Sequence, residues 1–227
     1  MIVCKWEELP KEMQTEEVRP YWEILNKKKF ALICKRVFDF VASSLMLIIF
    51  SPLVFVLAIA IKLDSPGPVF YRQERVTQYG RKFRIHKFRS MCDGADKKGS
   101  LVTVSGDSRV TKVGRFIRKF KLDEISQLID IWVGDMSYVG TRPEVQKYVD
   151  KYTNEMKATL LLPAGVTSTA SIEYKDENDL LDAADDVDKV YVEEVLPEKM
   201  KMNLDDIKKF GFWREIGICI KTVLAVF

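Results

Sequence analysis

Histidine is nearly absent from this 227-residue sequence, and the one present, His86, excludes a good deal. A multi-histidine metal centre cannot be built within one chain, and a Ser-His-Asp triad would have to rest on this residue alone. Its neighbours alternate apolar and basic, as around an ordinary strand-surface histidine. Cysteine is sparse too. Cys4, Cys34, Cys92 and Cys219 lack metal-ligand spacing, so neither a zinc cluster nor a disulfide framework is expected, and reduced thiols in a cytosolic setting fit best. Charge of one sign is also lacking: 36 basic and 33 acidic residues leave +3. That gives no global signature for nucleic acid, which is not expected as a partner. No secretory signal is expected either, because residues 1–30 are polar and contain no apolar core.

What the sequence does have is a long apolar run, Val37 to Leu63, interrupted by Asp39, Ser43, Ser44, Ser51, Pro52 and Lys62. As a helix of roughly 25 residues at about 1.5 Å each it could cross a bilayer; a buried soluble helix is the alternative. Both flanks are basic, with Lys27, Lys28, Lys29, Lys35 and Arg36 before it and Lys62, Arg72, Arg75, Arg81 and Lys82 after it. Basic flanks favour the cytoplasmic side, which one spanning helix cannot satisfy at both ends. A helix that bends at Ser51-Pro52 and returns to the same face can. Proline removes a backbone hydrogen bond there, and the serine hydroxyl can serve the groups released.

Three parts are expected: a polar N-terminal extension (1–33), a re-entrant membrane helix (34–64) and a cytoplasmic domain (65–227) ending in an amphipathic helix. Ser65-Pro66-Gly67-Pro68 is a turn signal, and Val69 to Arg89 reads as strands joined by a hairpin turn at Tyr79-Gly80. Lys112 to Val133 has helical spacing, with Arg115, Arg118, Lys119 and Lys121 on its polar side. From Leu204 to Phe227 apolar residues recur as in one core or interfacial helix. The fold class implied is α+β, mostly helical, with a small β-hairpin element.

The chemistry concentrates in three segments. Asp123 and Glu124 stand in "KLDEISQL" at an expected helix start, where acidic residues are favoured, and Glu124 with Gln127 has capping-box spacing. Taken alone the pair reads as a cap. Adjacent carboxylates suit a glycosidase poorly, but they could share a hard cation while one attacks phosphorus. Downstream come Gly134-Asp135-Met136-Ser137 and then Gly140-Thr141-Arg142-Pro143-Glu144. Arg142 can grip a phosphate bidentately, and Pro143 restricts its backbone. Upstream, Lys87 and Arg89 alternate with Phe88, which would set both on one side of a strand. The acidic run Asp176 to Asp188 reads as a solvated helix face, although it could imitate a cation site.

Together, the apolar run with Ser51-Pro52, "SPGPVFYRQERV", "FRIHKFRSM", "VGRFIRKFKLDEISQL" and "GDMSYVGTRPE" resemble the successive motifs of the bacterial sugar transferase family, the monotopic phosphoglycosyl transferases that initiate glycoconjugate and exopolysaccharide assembly. The resemblance runs from about Lys35 to Glu144. It implies a catalytic domain at the cytoplasmic face of the bacterial inner membrane, acting on a nucleotide diphosphate sugar (commonly a UDP-sugar) and undecaprenyl phosphate with Mg²⁺. Asp123 would be the nucleophile, forming an aspartyl-phosphosugar and releasing UMP. Glu124 would share the metal and charge, and Lys87, Arg118 and Arg142 with Pro143 would contact phosphate. Membrane phospholipids are expected partners, and a homodimer is carried as an expectation. Ser126 and Thr141 depart from the family's commonest pattern, where proline is usual, and beyond Glu144 "LLPAGVTSTASIEYKDENDLL" only partly matches.

Two other classes stay open on the residues alone. A non-catalytic membrane-surface scaffold would use the basic middle to bind anionic lipid. A metal-dependent nucleotide-sugar hydrolase would use the same carboxylates with water.

Overall fold

A computed structural model describes residues 3–95, 107–175 and 186–226. These are mostly helical, with two small separate sheets and one long apolar helix. The acidic run Asp176 to Asp188 lies outside the described residues except for its end. There Asp186 caps a short helix by accepting the Lys189 N–H, and Asp188 pairs with Lys147.

The N-terminal segment, polar by composition, still buries Val3, Leu9, Met13 and Val18. They pack with α1 (Arg19–Lys27), the start of α2 (Lys29–Asp64) and Leu204, Ile207 and Phe210 from the far end of the chain.

Helix α2 is continuous through Pro52. Proline cannot donate to the Ile48 carbonyl four residues back, and Ser51 Oγ donates to that carbonyl instead, at 2.8 Å. Only 11% of the helix's most apolar stretch is buried. Its outward face is apolar nearly end to end, from Phe30 and Val41 through Ile48 and Phe55 to Leu63. A core helix of a soluble protein would hide such a surface. Lys35, Arg36 and Asp39, in its first third, face protein instead. Lys35 donates to the Val139 carbonyl at 2.8 Å and pairs with Glu215, Arg36 donates to the Ile131 and Trp132 carbonyls, and Asp39 accepts from Ser137 Oγ and the Tyr138 N–H.

The expected hairpin is present. Strands β1 (Phe70–Val76) and β2 (Lys82–Phe88) are antiparallel, with Tyr71 opposite Lys87 and Arg75 opposite Phe83. The turn needs left-handed backbone at Tyr79 (φ 58°) and Gly80 (φ 74°). A second, parallel pair, β3 (Met136–Val139) with β4 (Ala164–Thr167), was not anticipated. Gly140 and Gly165 touch backbone to backbone beside it; a Cβ on Gly140 would stand 2.6 Å from the Pro163 carbonyl oxygen.

Two long helices expected from periodicity are each divided. Lys112 to Val133 becomes α3 (Lys112–Lys119), a 3₁₀ stretch Leu122–Gln127 and α4 (Leu128–Val133). The break is at Lys121, whose left-handed φ of 51° ends the first helix at a strain of order 1–3 kcal/mol. Leu204 to Phe227 is the end of one helix, Leu196–Lys208, and a second, Phe212–Val226, separated at Gly211. Leu204, Ile207 and Phe210 are core, whereas Trp213, Ile220 and Leu224 are exposed.

Candidate active site

Asp123 and Glu124 occupy the first turn of the 3₁₀ stretch, directly after the left-handed Lys121. No side-chain cap forms at Lys121, and Glu124 does not close a capping box. Its Oε1 accepts from Arg142 Nη2 at 2.6 Å instead. The carboxylates are therefore turned toward other parts of the chain rather than spent on their own helix.

Three separate elements bring cations to them. Lys87 comes from β2, Arg118 from the end of α3, and Arg142 from the loop after β3. Burial lowers the Lys87 ammonium, Arg142 nearby lowers it further, and Glu124 and Asp123 act in the opposite sense. Arg118 is lowered by burial and favoured by Asp123; its Nε donates to Ser90 Oγ at 2.8 Å. Glu124 chiefly holds the Arg142 guanidinium well above its ordinary value. The two carboxylates then diverge. Burial raises Asp123, with Lys87 opposing and Glu124 adding to the rise. Burial also acts upward on Glu124, but Arg142 and Lys87 outweigh it and leave that group below its ordinary value.

Arg75, read from the sequence only as part of a basic flank, belongs to this group. Its Nη1 donates to the Pro143 carbonyl at 3.0 Å and lies 4.0 Å from Glu144, while its Nε and Nη2 hold Gln73. Burial lowers it, with Glu144 favouring and Arg142 disfavouring its charge. The period-two alternation of Tyr71, Gln73 and Arg75 was the signal available, because Tyr71 pairs across the hairpin with Lys87. Arg89 goes elsewhere. The strand ends at Phe88, and the guanidinium turns away to the carbonyls of Ile61, Ser65 and Pro66. Ser51 and Pro52 take no part in the contacts around the carboxylates.

His86 projects from the opposite side of β2 to Lys87. Its Nδ1 pairs with Asp130 at 2.7 Å, its N–H donates to the same carboxylate, and Ser126 Oγ donates to its carbonyl at 2.9 Å. Ser126 thus ties the turn bearing the carboxylates to the strand bearing Lys87.

Among the described residues no group of three or more His, Cys, Asp or Glu side chains is arranged to hold a metal ion. A two-carboxylate set nevertheless fits Mg²⁺, which keeps several waters and takes one or two carboxylates plus substrate phosphates. One Glu124 oxygen is engaged by Arg142, so the fit rests on its other oxygen and on Asp123.

Residues 30–227 match the family described as bacterial sugar transferase. The chain belongs to that family. A relative from Aeromonas hydrophila, named UDP-N-acetylgalactosamine-undecaprenyl-phosphate N-acetylgalactosaminephosphotransferase, is 35% identical over 85% of this chain and 43% of its own length. UDP-glucose:undecaprenyl-phosphate glucose-1-phosphate transferase of Escherichia coli (strain K12) is 33% identical over 86% of this chain and 40% of that protein. A protein of the same name from Caulobacter vibrioides is 35% identical, with 83% and 68% covered. The chain thus spans less than half the length of the first two of these sugar transferases.

Proposed function

We propose that this bacterial sugar transferase moves a phosphosugar from a UDP-sugar to undecaprenyl phosphate at the cytoplasmic face of the inner membrane, releasing UMP. The observation that carries the reading is the half-buried carboxylate pair Asp123–Glu124, faced by Lys87, Arg118 and Arg142 from three different elements. The names of the relatives support the substrate classes.

In the first displacement an Asp123 carboxylate oxygen attacks the sugar-linked phosphorus. The bond from that phosphorus to the bridging oxygen breaks, and UMP leaves with the electron pair. In the second, a phosphate oxygen of undecaprenyl phosphate attacks the same phosphorus, forming the diphosphate linkage and returning the Asp123 carboxylate. The covalent route divides a transfer between two anions into two easier steps. Lys87 and Arg118 supply positive charge beside Asp123 for the phosphoryl oxygens, and Glu124 orients Arg142 for the diphosphate. Mg²⁺, held by Asp123 and Glu124, would offset phosphate charge and steady the leaving UMP. The apolar helix α2 acts as a re-entrant anchor that keeps the site at headgroup level, among membrane phospholipids.

The reading is tested by incubating membranes containing the protein with Mg²⁺, undecaprenyl phosphate and a panel of UDP-sugars. UMP release is expected for the wild type and a loss of at least about 10³-fold for Asp123→Ala. UDP as the nucleotide product would contradict the reading, since it denotes plain glycosyl transfer.

A further inference from the structure

Four consecutive residues after Asp130's partner His86 point in four different directions. Lys87 faces the carboxylate pair. Phe88 is 1% exposed and packs with Leu57 and Ile61 of the apolar helix and with Ile117 of α3. Arg89 reaches the end of the apolar helix, and Ser90 accepts from Arg118 and, through its carbonyl, from the Thr111 N–H at the start of α3. The Arg89 contact is the least expected of these.

Arg89 is 4% exposed, and among the described residues its guanidinium bonds to backbone carbonyls and to no carboxylate. Nη1 donates to the Pro66 carbonyl at 2.6 Å; Nη2 donates to those of Ser65 at 2.7 Å and Ile61 at 3.2 Å. These are carbonyls of the last helical turn and the residues just after it, where the backbone dipoles favour a cation; the Ile61 carbonyl also accepts the Ser65 N–H at 3.3 Å. Gly67, at φ +124°, makes room: a Cβ there would collide with the guanidinium. Asp64, from the same helix end, accepts the Val113 N–H at 2.8 Å in the first turn of α3. The end of the apolar helix is thereby fastened to the strand that carries Lys87 and to the helix that carries Arg118.

We infer that Arg89 is a positioning residue that fixes the apolar helix against the catalytic surface, and so sets the site's height relative to the lipid acceptor. The inference rests on the proposed phosphosugar transfer. Removing the side-chain clamp leaves β2 paired with β1, and the Arg89 N–H still bonds to Val69, so Lys87 and the carboxylates keep their mutual geometry. What loosens is the helix relative to them. The step that needs a membrane-borne acceptor should suffer, and the step that needs only a soluble nucleotide sugar should not.

The test compares wild type, Arg89→Lys and Gly67→Ala in nanodiscs of anionic phospholipid. Lysine keeps the charge but cannot grip three carbonyls, and alanine at 67 pushes on the clamp from its other side. Two half-reactions are read separately: covalent loading from a labelled UDP-sugar without acceptor, and single-turnover transfer of the loaded sugar phosphate to undecaprenyl phosphate. Loading within twofold of wild type, with transfer at least tenfold slower and a raised KM for the lipid, is expected of Arg89→Lys. Hydrogen exchange over 57–68 is expected to quicken in both variants. Equal losses in loading and transfer, or transfer at the wild-type rate, would overturn the inference. Wild-type protein that neither loads nor transfers would instead overturn the proposed function. Should Arg89→Lys fail to fold, Gly67→Ala carries the same comparison.

Discussion

Burial raises the Asp123 carboxyl above the ordinary aspartate range, Lys87 opposes the rise, and the neighbouring Glu124 adds to it. Attack on phosphorus requires the ionised form, so the rate should climb with pH through the Asp123 pKa. Lys87→Met removes the opposing charge and is expected to move that acid limb to higher pH. Glu124→Gln removes the charge that adds to the rise and is expected to move the limb lower, while turnover falls by about 10²-fold or more in either variant. Full pH–rate profiles of kcat check this, and limbs that stay put or shift together would count against Asp123 as the titrating nucleophile. Glu124 has the opposite linkage. Its folded-state pKa is depressed by Arg142 and Lys87 against the upward pull of burial. Its contribution to stability is present above the ordinary glutamate pKa and disappears as pH falls through the depressed value. Little of this was readable from "KLDEISQL": capping-box spacing was formally present, and only the tertiary fold brings Arg142 to Glu124.

At the scale of elements, the apolar helix was legible as a run of residues, and so was the hairpin, because each depends on local pattern. The divisions of the two later helices were not. Lys121 adopts left-handed backbone that nothing in its side chain announces, and the stretch bearing Asp123 begins directly after it. Arg89 was misplaced for a similar reason, since alternation holds only while the strand lasts and the strand stops at Phe88. The proposed re-entry of α2 has its own test. Single cysteines placed at the exposed positions Phe30 and Leu63 in a cysteine-free background should both react with a membrane-impermeant maleimide from the cytoplasmic side. Reaction of the two ends from opposite sides would make the helix a plain span.

Across the whole molecule, the apolar helix and the candidate site are joined through charged groups near both ends of that helix. Asp39 and Lys35 bind β3 and its flank, and Asp64 and Arg89 join the other end of the helix to α3 and β2. The candidate site itself was largely legible, because its residues sit in long motifs. Arg75 was not, since its hydrogen bond to the Pro143 carbonyl depends on the hairpin meeting the loop after β3. The proposed covalent step at Asp123 is tested most directly by intact-protein mass spectrometry after incubation with Mg²⁺ and the preferred UDP-sugar but no lipid acceptor. The predicted result is a gain of one sugar phosphate that maps to Asp123, is absent from Asp123→Asn and disappears when undecaprenyl phosphate is added. Lipid-linked product formed at the full rate by Asp123→Asn, with no adduct on either protein, would contradict it.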